Sequence, residues 1–238
     1  MDVLKIAAFS DGNTGGNPAG VLIGDILPDA VEMQRLAAEV GFSETAFAAP
    51  DGDNWRVRYF SPETEVPFCG HATIAAALQS PPTRSKPAPP ELIAEALALF
   101  GYSPSDLDPA IPAALIHGGA DHLVLALKSR EALAAMRYEL KAGQALMRRD
   151  GLVTILLAYA ETPRLFHTRN PFASGGVYED PATGASTAAF AGYLRDIGWP
   201  HGGAIDVVQG EDMGMRSRLH ADIAPEIGSS SGSQAQPE

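Results

Sequence analysis

The chain has 238 residues, 45% of them apolar, with a formal charge of −12 and a sequence pI near 4.9. That apolar content builds a real core and excludes disorder, while the acidic surplus argues against a general nucleic-acid grip or attraction to an anionic membrane. Cys69 is the single cysteine, no apolar run approaches the ~20 residues of a membrane span, and the N-terminus lacks the basic start of a secretory signal. The expectation is a cytoplasmic protein that engages neither nucleic acid nor membrane.

In chain order, VLKIAAF (3–9) predicts a strand, and VLI (21–23) its return after the turn-rich DGNTGGNPAG (11–20). Pro28 and Asp29 open a helix that Gly41 ends. ETAFAA (44–49) is a strand, and WRVRYFS (55–61) alternates, with Trp55, Val57 and Tyr59 on one face and Arg56 and Arg58 on the other. Residues 61–78 run from a loop into a short helix, and the proline-rich QSPPTRSKPAPPE (79–91) reads as an extended connection without periodicity. A helix follows over 90–101, then a loop, a strand over 122–127, a helix over 129–140 capped by Ser129, and a buried strand over 152–160. The stretch GGVYEDPATGASTAAFAGYL (175–194) enters a helix from about Ala185 to Leu194, and IDVVQG (205–210) is a late strand. The Gly/Ser/Gln-rich end, 229–238, reads as a disordered tail. Strands and helices are mixed without the regular alternation of a parallel sheet, which predicts an α+β class.

Neither GxGxxG after a strand nor GxxxxGK[ST] occurs, so no nucleotide loop is indicated. His117, His122, His167, His201 and His220 show no metal-ligand spacing, and Ser43 has no nucleophile elbow around it, so neither a metal site nor a serine hydrolase is expected. One internal echo is present. PFCGHATIAAAL (67–78) and EDPATGASTAAF (179–190) both pass through a Gly, Ala and Thr cluster into an alanine-rich helix. A helix start offers unpaired N–H groups and the positive end of its dipole, and small side chains let a ligand approach that backbone. Two such starts facing each other would hold a carboxylate between them.

Four stretches in order, GNPAGV (16–21), FSETAF (42–47), FCGHATIAAA (68–77) and EDPATGASTAA (179–189), make the chain resemble the PhzF-like family of phenazine biosynthesis proteins, within the diaminopimelate-epimerase-like fold. QGEDMGMRS (209–217) is similar to a late segment of that family. The resemblance implies two pseudo-symmetric, strand-rich half-domains, each around a central helix, with the active site in the cleft between them. On this chain they would be 1–110, including the linker 79–91, and 111–228. It implies an isomerase or epimerase of a biosynthetic process that needs no cofactor, acts on a small carboxylate-bearing metabolite and pairs as a homodimer.

Residue by residue, Glu44 matches the family's proton-shuttling glutamate, a role that needs desolvation to raise its pKa; the alternative is a solvent-facing glutamate. His71 matches the histidine that positions substrate and relays protons, against a helix-start histidine satisfied by local backbone. Asp180 matches the aspartate that holds the substrate's polar group, against an ordinary helix cap. Glu179 is read as its solvated neighbour. Gly70 and Gly184 are close-approach glycines or plain turn formers, and the backbone of Gly70, Ala72 and Thr73 and of Gly184, Ala185 and Ser186 would bind the substrate carboxylate. Related racemases use two cysteines, which this chain lacks. Cys69 is read as a small buried hydrophobe, with a one-thiol racemase as a weaker idea.

Three departures from the family pattern matter. Ala185 stands where the pattern has serine, and Ser186 points about 100° further round the helix. The first half is shortened, because Leu78 runs straight into the proline-rich segment, and the tail lacks an expected closing strand. These departures motivate a second expectation, a non-catalytic small-acid-binding or interaction protein on a degenerate form of the fold.

Overall fold

The computed structural model describes residues 3–8, 15–52, 54–67, 69, 83–226 and 232–235. Two sheets organise them. The first is built from β1 (Leu4–Ala8), β2 (Asn17–Ile23), β3 (Glu44–Asp51), β4 (Asn54–Phe60) and β5 (Glu65–Val66), in that spatial order. β1 and β2 pair antiparallel, as the turn-rich loop implied, and β2 runs parallel to β3 with α1 (Ala30–Val40) as the crossover. Asp29 caps α1 by accepting the Glu32 N–H at 2.9 Å, and Gly41 ends it in the left-handed region at φ 70°.

The second sheet begins with β6 (Arg84–Pro87), followed by α2 (Pro90–Phe100), β7 (Ala114–His117), β8 (Asp121–Ala126), α3 (Arg130–Ala134) and α4 (Leu140–Arg149). β9 (Thr154–Ala160), β10 (Leu165–Phe172), β11 (Val177–Asp180), α5 (Gly184–Asp196), β12 (Ala204–Gln209), β13 (Ser217–Asp222) and β14 (Gly232–Ala235) complete it. Its order is β14-β13-β12-β10-β9-β8-β7-β6, with β11 paired to β10 off that path. Five strands against nine, among the described residues, make the first sheet the smaller.

Several expectations need correction. The proline-rich segment is not wholly an irregular connection: Arg84–Pro87 pairs antiparallel with β7, so the second sheet starts well before residue 111. Both proline and strand are satisfied because, among the described residues, β6 is the sheet's last strand and pairs on one side only. The tail is not structureless throughout, since Gly232–Ala235 pairs with β13 as a closing strand. The helix foreseen over 129–140 stops at Ala134, and a separate helix, α4, was missed. A buried arginine explains the stop. Arg169 Nη1 donates to the carbonyl oxygens of Leu133, Ala134 and Met136 at 3.5, 3.0 and 3.3 Å, taking acceptors that a longer helix would have used. Glu139 then caps α4 through the Lys141 and Ala142 N–H groups.

α5 is the axis of the second half. Every residue from Gly184 to Leu194 is buried, so it is a helix wrapped on all sides rather than an amphipathic one. Phe190 and Leu194 pack with Val124, Leu156, Phe166 and Val207 from the inner face of the sheet. The outer face carries Leu123, Leu125, Ile155 and Leu157 beneath Leu97, Leu133 and Met147 of the three outer helices. This two-sided burial explains why β8 and β9 read as continuous apolar runs.

The small residues of α5 are a packing requirement. A Cβ on Gly192 would lie 2.1 Å from Thr83 Oγ1 and 2.5 Å from Thr83 Cβ. Gly192→Ala is expected to cost about 1–3 kcal/mol by overpacking, read as a fall of about 2–4 °C in Tm per kcal/mol. A variant melting with the wild type would show that α5 is not held this tightly.

Candidate active site

Strand alternation decides what faces the junction of the two sheets. On β3, Thr45 and Phe47 point away, with Phe47 packed against Met33 of α1. Glu44 and Ala46 fall on the opposite face, where Ala46 joins Cys69, Tyr59 and Phe172. On β11, Glu179 and Asp180 are consecutive and therefore diverge. Both are buried, at 4% and 1% exposure.

Glu179 turns to the outer side and meets Arg169 in a two-pronged pair, with Nε donating to Oε1 at 2.9 Å and Nη2 to Oε2. The expectation of a solvated neighbour was wrong. Glu179 closes the network that ends α3.

Asp180 turns inward. Its Oδ1 accepts from Asn17 Nδ2 at 2.6 Å and its Oδ2 from Thr183 Oγ1 at 2.6 Å. Asn17 Nδ2 also donates to the Ala182 carbonyl at 2.8 Å, and Ser43 Oγ donates to Asn17 Oδ1 at 3.1 Å. Gln209 Nε2 holds the Asp180 carbonyl at 2.6 Å. Asn17, from the GNPAGV stretch, therefore ties the first sheet to the second across the junction. Asp180 is not the helix cap: Thr183 is the N-cap of α5, and no side-chain hydrogen bond caps the helix.

Glu44 and Asp180 line one small cavity together with Cys69, Thr183, Gly184 and Ala185. Its volume is about 10 Å³, room for a single water-sized group. Ala120, His122, Val153 and Thr154 form the remaining wall. Two predicted residues from opposite ends of the chain thus meet in one place. Gly70, His71, Ala72 and Thr73 lie outside the described residues. Ser186 does not replace the missing hydroxyl at Ala185. It is fully buried and its Oγ donates to Asn170 Oδ1 at 2.9 Å, while Ala185 lines the cavity. Cys69 is buried as expected and also reaches the site, where its thiol is hydrogen-bonded to the Glu44 carboxyl.

The electrostatics follow from burial. Glu44 is pushed well above the usual carboxylate range, first by loss of water and then by the charge of Asp180; contacts with Ser43 and Cys69 offset this in part. Asp180 is pushed up to about 6 by burial, against the pull of Thr183, Ser43 and Asn17. Asp180 has three donors on its carboxylate side and Glu44 is the more strongly raised by burial and by its neighbour's charge, so of the pair Glu44 is the one that holds its proton to higher pH. Strongly shifted carboxyl groups buried side by side in this way cluster at functional sites.

Sequence reasoning missed His122, Asn17, Thr183, Asn170 and Gln209. For Asn17, Thr183 and Gln209 a signal existed, because all three sit in motif stretches quoted above. For His122 the signal was alternation: His122, Val124 and Ala126 share the inward face of β8. Among the described residues no group of three or more His, Cys, Asp or Glu could hold a metal ion, and no helix is long and apolar enough to cross a membrane.

Comparison with known proteins agrees with this architecture. The family model described as phenazine biosynthesis-like protein matches residues 6–80 and 77–235. The chain belongs to that family. It is 31% identical to an uncharacterized isomerase of Pseudomonas aeruginosa over 215 residues, covering 81% of each chain. The solved structure of a predicted epimerase from the same organism superposes with a TM-score of 0.81 at 22% identity, covering 99% of this chain and 96% of that one. A probable proline racemase from Agrobacterium radiobacter superposes with a TM-score of 0.60 at 12% identity, covering 97% and 87%. The fold is therefore the diaminopimelate-epimerase-like one, shared by phenazine biosynthesis-like proteins and racemases.

Proposed function

We propose that this isomerase moves a proton at carbon of a small carboxylic acid, with Glu44 as the group that carries it. The observation behind the reading is the buried pair at the junction of the sheets: Glu44, its pKa raised by burial and by its neighbour's charge, shares one cavity with an Asp180 fixed by Asn17 and Thr183. As the acid, Glu44 delivers a proton to carbon. As the carboxylate left behind, it removes one from carbon of the same substrate, so atoms and charge balance and the acid form is restored. The backbone N–H groups of Ala185 and Ser186 open α5 at the cavity wall, and they suit the substrate carboxylate and the negative charge that develops when carbon loses its proton. Asp180 orients a polar substituent. Because the cavity holds about 10 Å³, a substrate enters only when its walls part, and closing them afterwards excludes water.

The second reading, a protein that binds small acids without turning them over, is favoured by two facts: Ala185 supplies no hydroxyl, and Ser186 has committed its own to Asn170. Incubating the wild type in D₂O with a panel of amino and hydroxy acids separates the two. The isomerase reading expects deuterium at a carbon of at least one acid that binds. Binding with no label in any bound acid would favour the second reading.

A further inference from the structure

His122 is fully buried and lines the same cavity as Glu44 and Asp180. Its ring is fixed on one side only. Nδ1 lies 2.8 Å from Thr154 Oγ1, and that hydroxyl spends its single proton on Asn170 Oδ1 at 3.2 Å. Thr154 is therefore the acceptor from His122, which places the ring proton on Nδ1 and a lone pair on Nε2. Nε2 is buried and has no hydrogen-bond partner. Burial lowers the ring's pKa to about 3, so it stays neutral. A buried acceptor left without a donor costs stability. Here the chain maintains one through a three-residue relay, His122–Thr154–Asn170, whose far end is locked by Ser186 at the start of α5.

We propose that His122 Nε2 is the specificity-determining acceptor of the cavity, reading an N–H or O–H donor on the substrate, so that the site selects amino or hydroxy acids over acids lacking such a group. The inference rests on the cavity being the substrate site, as in the reading above. The ligand's donor gives the buried Nε2 its missing partner. An acid without one leaves Nε2 unpaired and is discriminated against for that reason, which is how a polar pocket rejects an analogue that lacks the matching group.

The test is a binding measurement with alanine and lactate against propionate, which keeps the carbon skeleton and lacks the donor. Wild type is expected to bind alanine or lactate at least about 10-fold more tightly than propionate. His122→Asn keeps a donor toward Thr154 and deletes Nε2. It should lose that preference while propionate affinity changes less than about 2-fold, and His122→Gln, which can return an acceptor near Nε2, should recover part of it. In ¹⁵N spectra of the wild type, His122 should show the Nδ1–H tautomer, with the Nε2 resonance moving when alanine or lactate is bound. Equal affinity of wild type for all three acids, equal losses for all three in His122→Asn, or an Nε2 resonance unmoved by saturating ligand would each overturn the inference. Exchange is measured separately. Selectivity without deuterium incorporation defeats the isomerase reading alone, whereas Glu44-dependent incorporation without selectivity defeats only the role of His122.

Discussion

Glu44→Gln is expected to melt above the wild type at pH 7–8 and together with it at pH 4. Glu44 has a folded-state pKa raised well above the ordinary value by burial and by the Asp180 charge. Below its unfolded pKa of about 4.3 both states hold the proton, and the group costs nothing. As pH rises beyond that value, the unfolded chain releases the proton while the folded protein retains it, so stability falls with pH until the folded-state pKa is passed. Each pH unit by which a folded-state pKa exceeds the unfolded one corresponds to about 1.4 kcal/mol. Glutamine keeps the shape of the protonated acid without the titration, so the gap between variant and wild type should open with pH to several degrees in Tm. Asp180, pushed up to about 6, adds its own decline between roughly pH 4 and 6, and because its charge helps to raise Glu44 the two titrate as a pair, so the difference between variant and wild type reports the pair rather than Glu44 alone. A variant that melts lower than wild type at pH 8 would show that Glu44 is not a buried acid. The cost in the wild type is of the kind that a strained functional site imposes and a purely structural residue would not.

Arg169→Met is expected to be the most destabilising single change away from the cavity. The substitution leaves Glu179 as an uncompensated buried charge, at a cost of about 3–5 kcal/mol. It also strips the donor from the carbonyls of Leu133, Ala134 and Met136. In thermal melts the loss amounts to about 2–4 °C per kcal/mol. The double variant Arg169→Met/Glu179→Met removes the stranded charge and should recover a large part of the loss. Recovery stays incomplete, because the three carbonyls still lack a partner. Arg169→Met within about 0.5 kcal/mol of wild type would contradict the role given to this pair. Since Glu179 and Asp180 share β11, the same double variant reports on whether the outer pair holds the inner carboxylate in place.

Local chemistry made much of the fold readable. Asp29 and Gly41 bracket α1 as capping rules require, and the Gly101 stop of α2 is equally plain. The failures came where distant residues override local preference. The helix after Ser129 ends because Arg169, more than thirty positions away, takes its carbonyls. β6 forms in a proline-rich segment because β7 lies beside it, and among the described residues it pairs on that side only. The Gly/Ser tail gives no strand signal by composition, yet β13 offers it an edge. At the site, Glu44 and Asp180 were legible through their motifs, and both line the same cavity. Glu179 was misjudged because two adjacent carboxylates look alike in sequence, whereas on a strand they face opposite sides. Nothing local distinguishes His122 from the other histidines until β8 and β9 set it against Thr154.

The central claim is that Glu44 carries the proton. It is tested most directly by deuterium incorporation from D₂O into one acid that both wild type and Glu44→Gln bind, with binding checked for each protein by the ligand-induced rise in Tm. Removing a general acid/base costs about 10²–10⁴-fold, so label should accumulate at carbon with the wild type and fall by at least that lower factor with Glu44→Gln. Equal rates of incorporation in the two proteins would contradict the account.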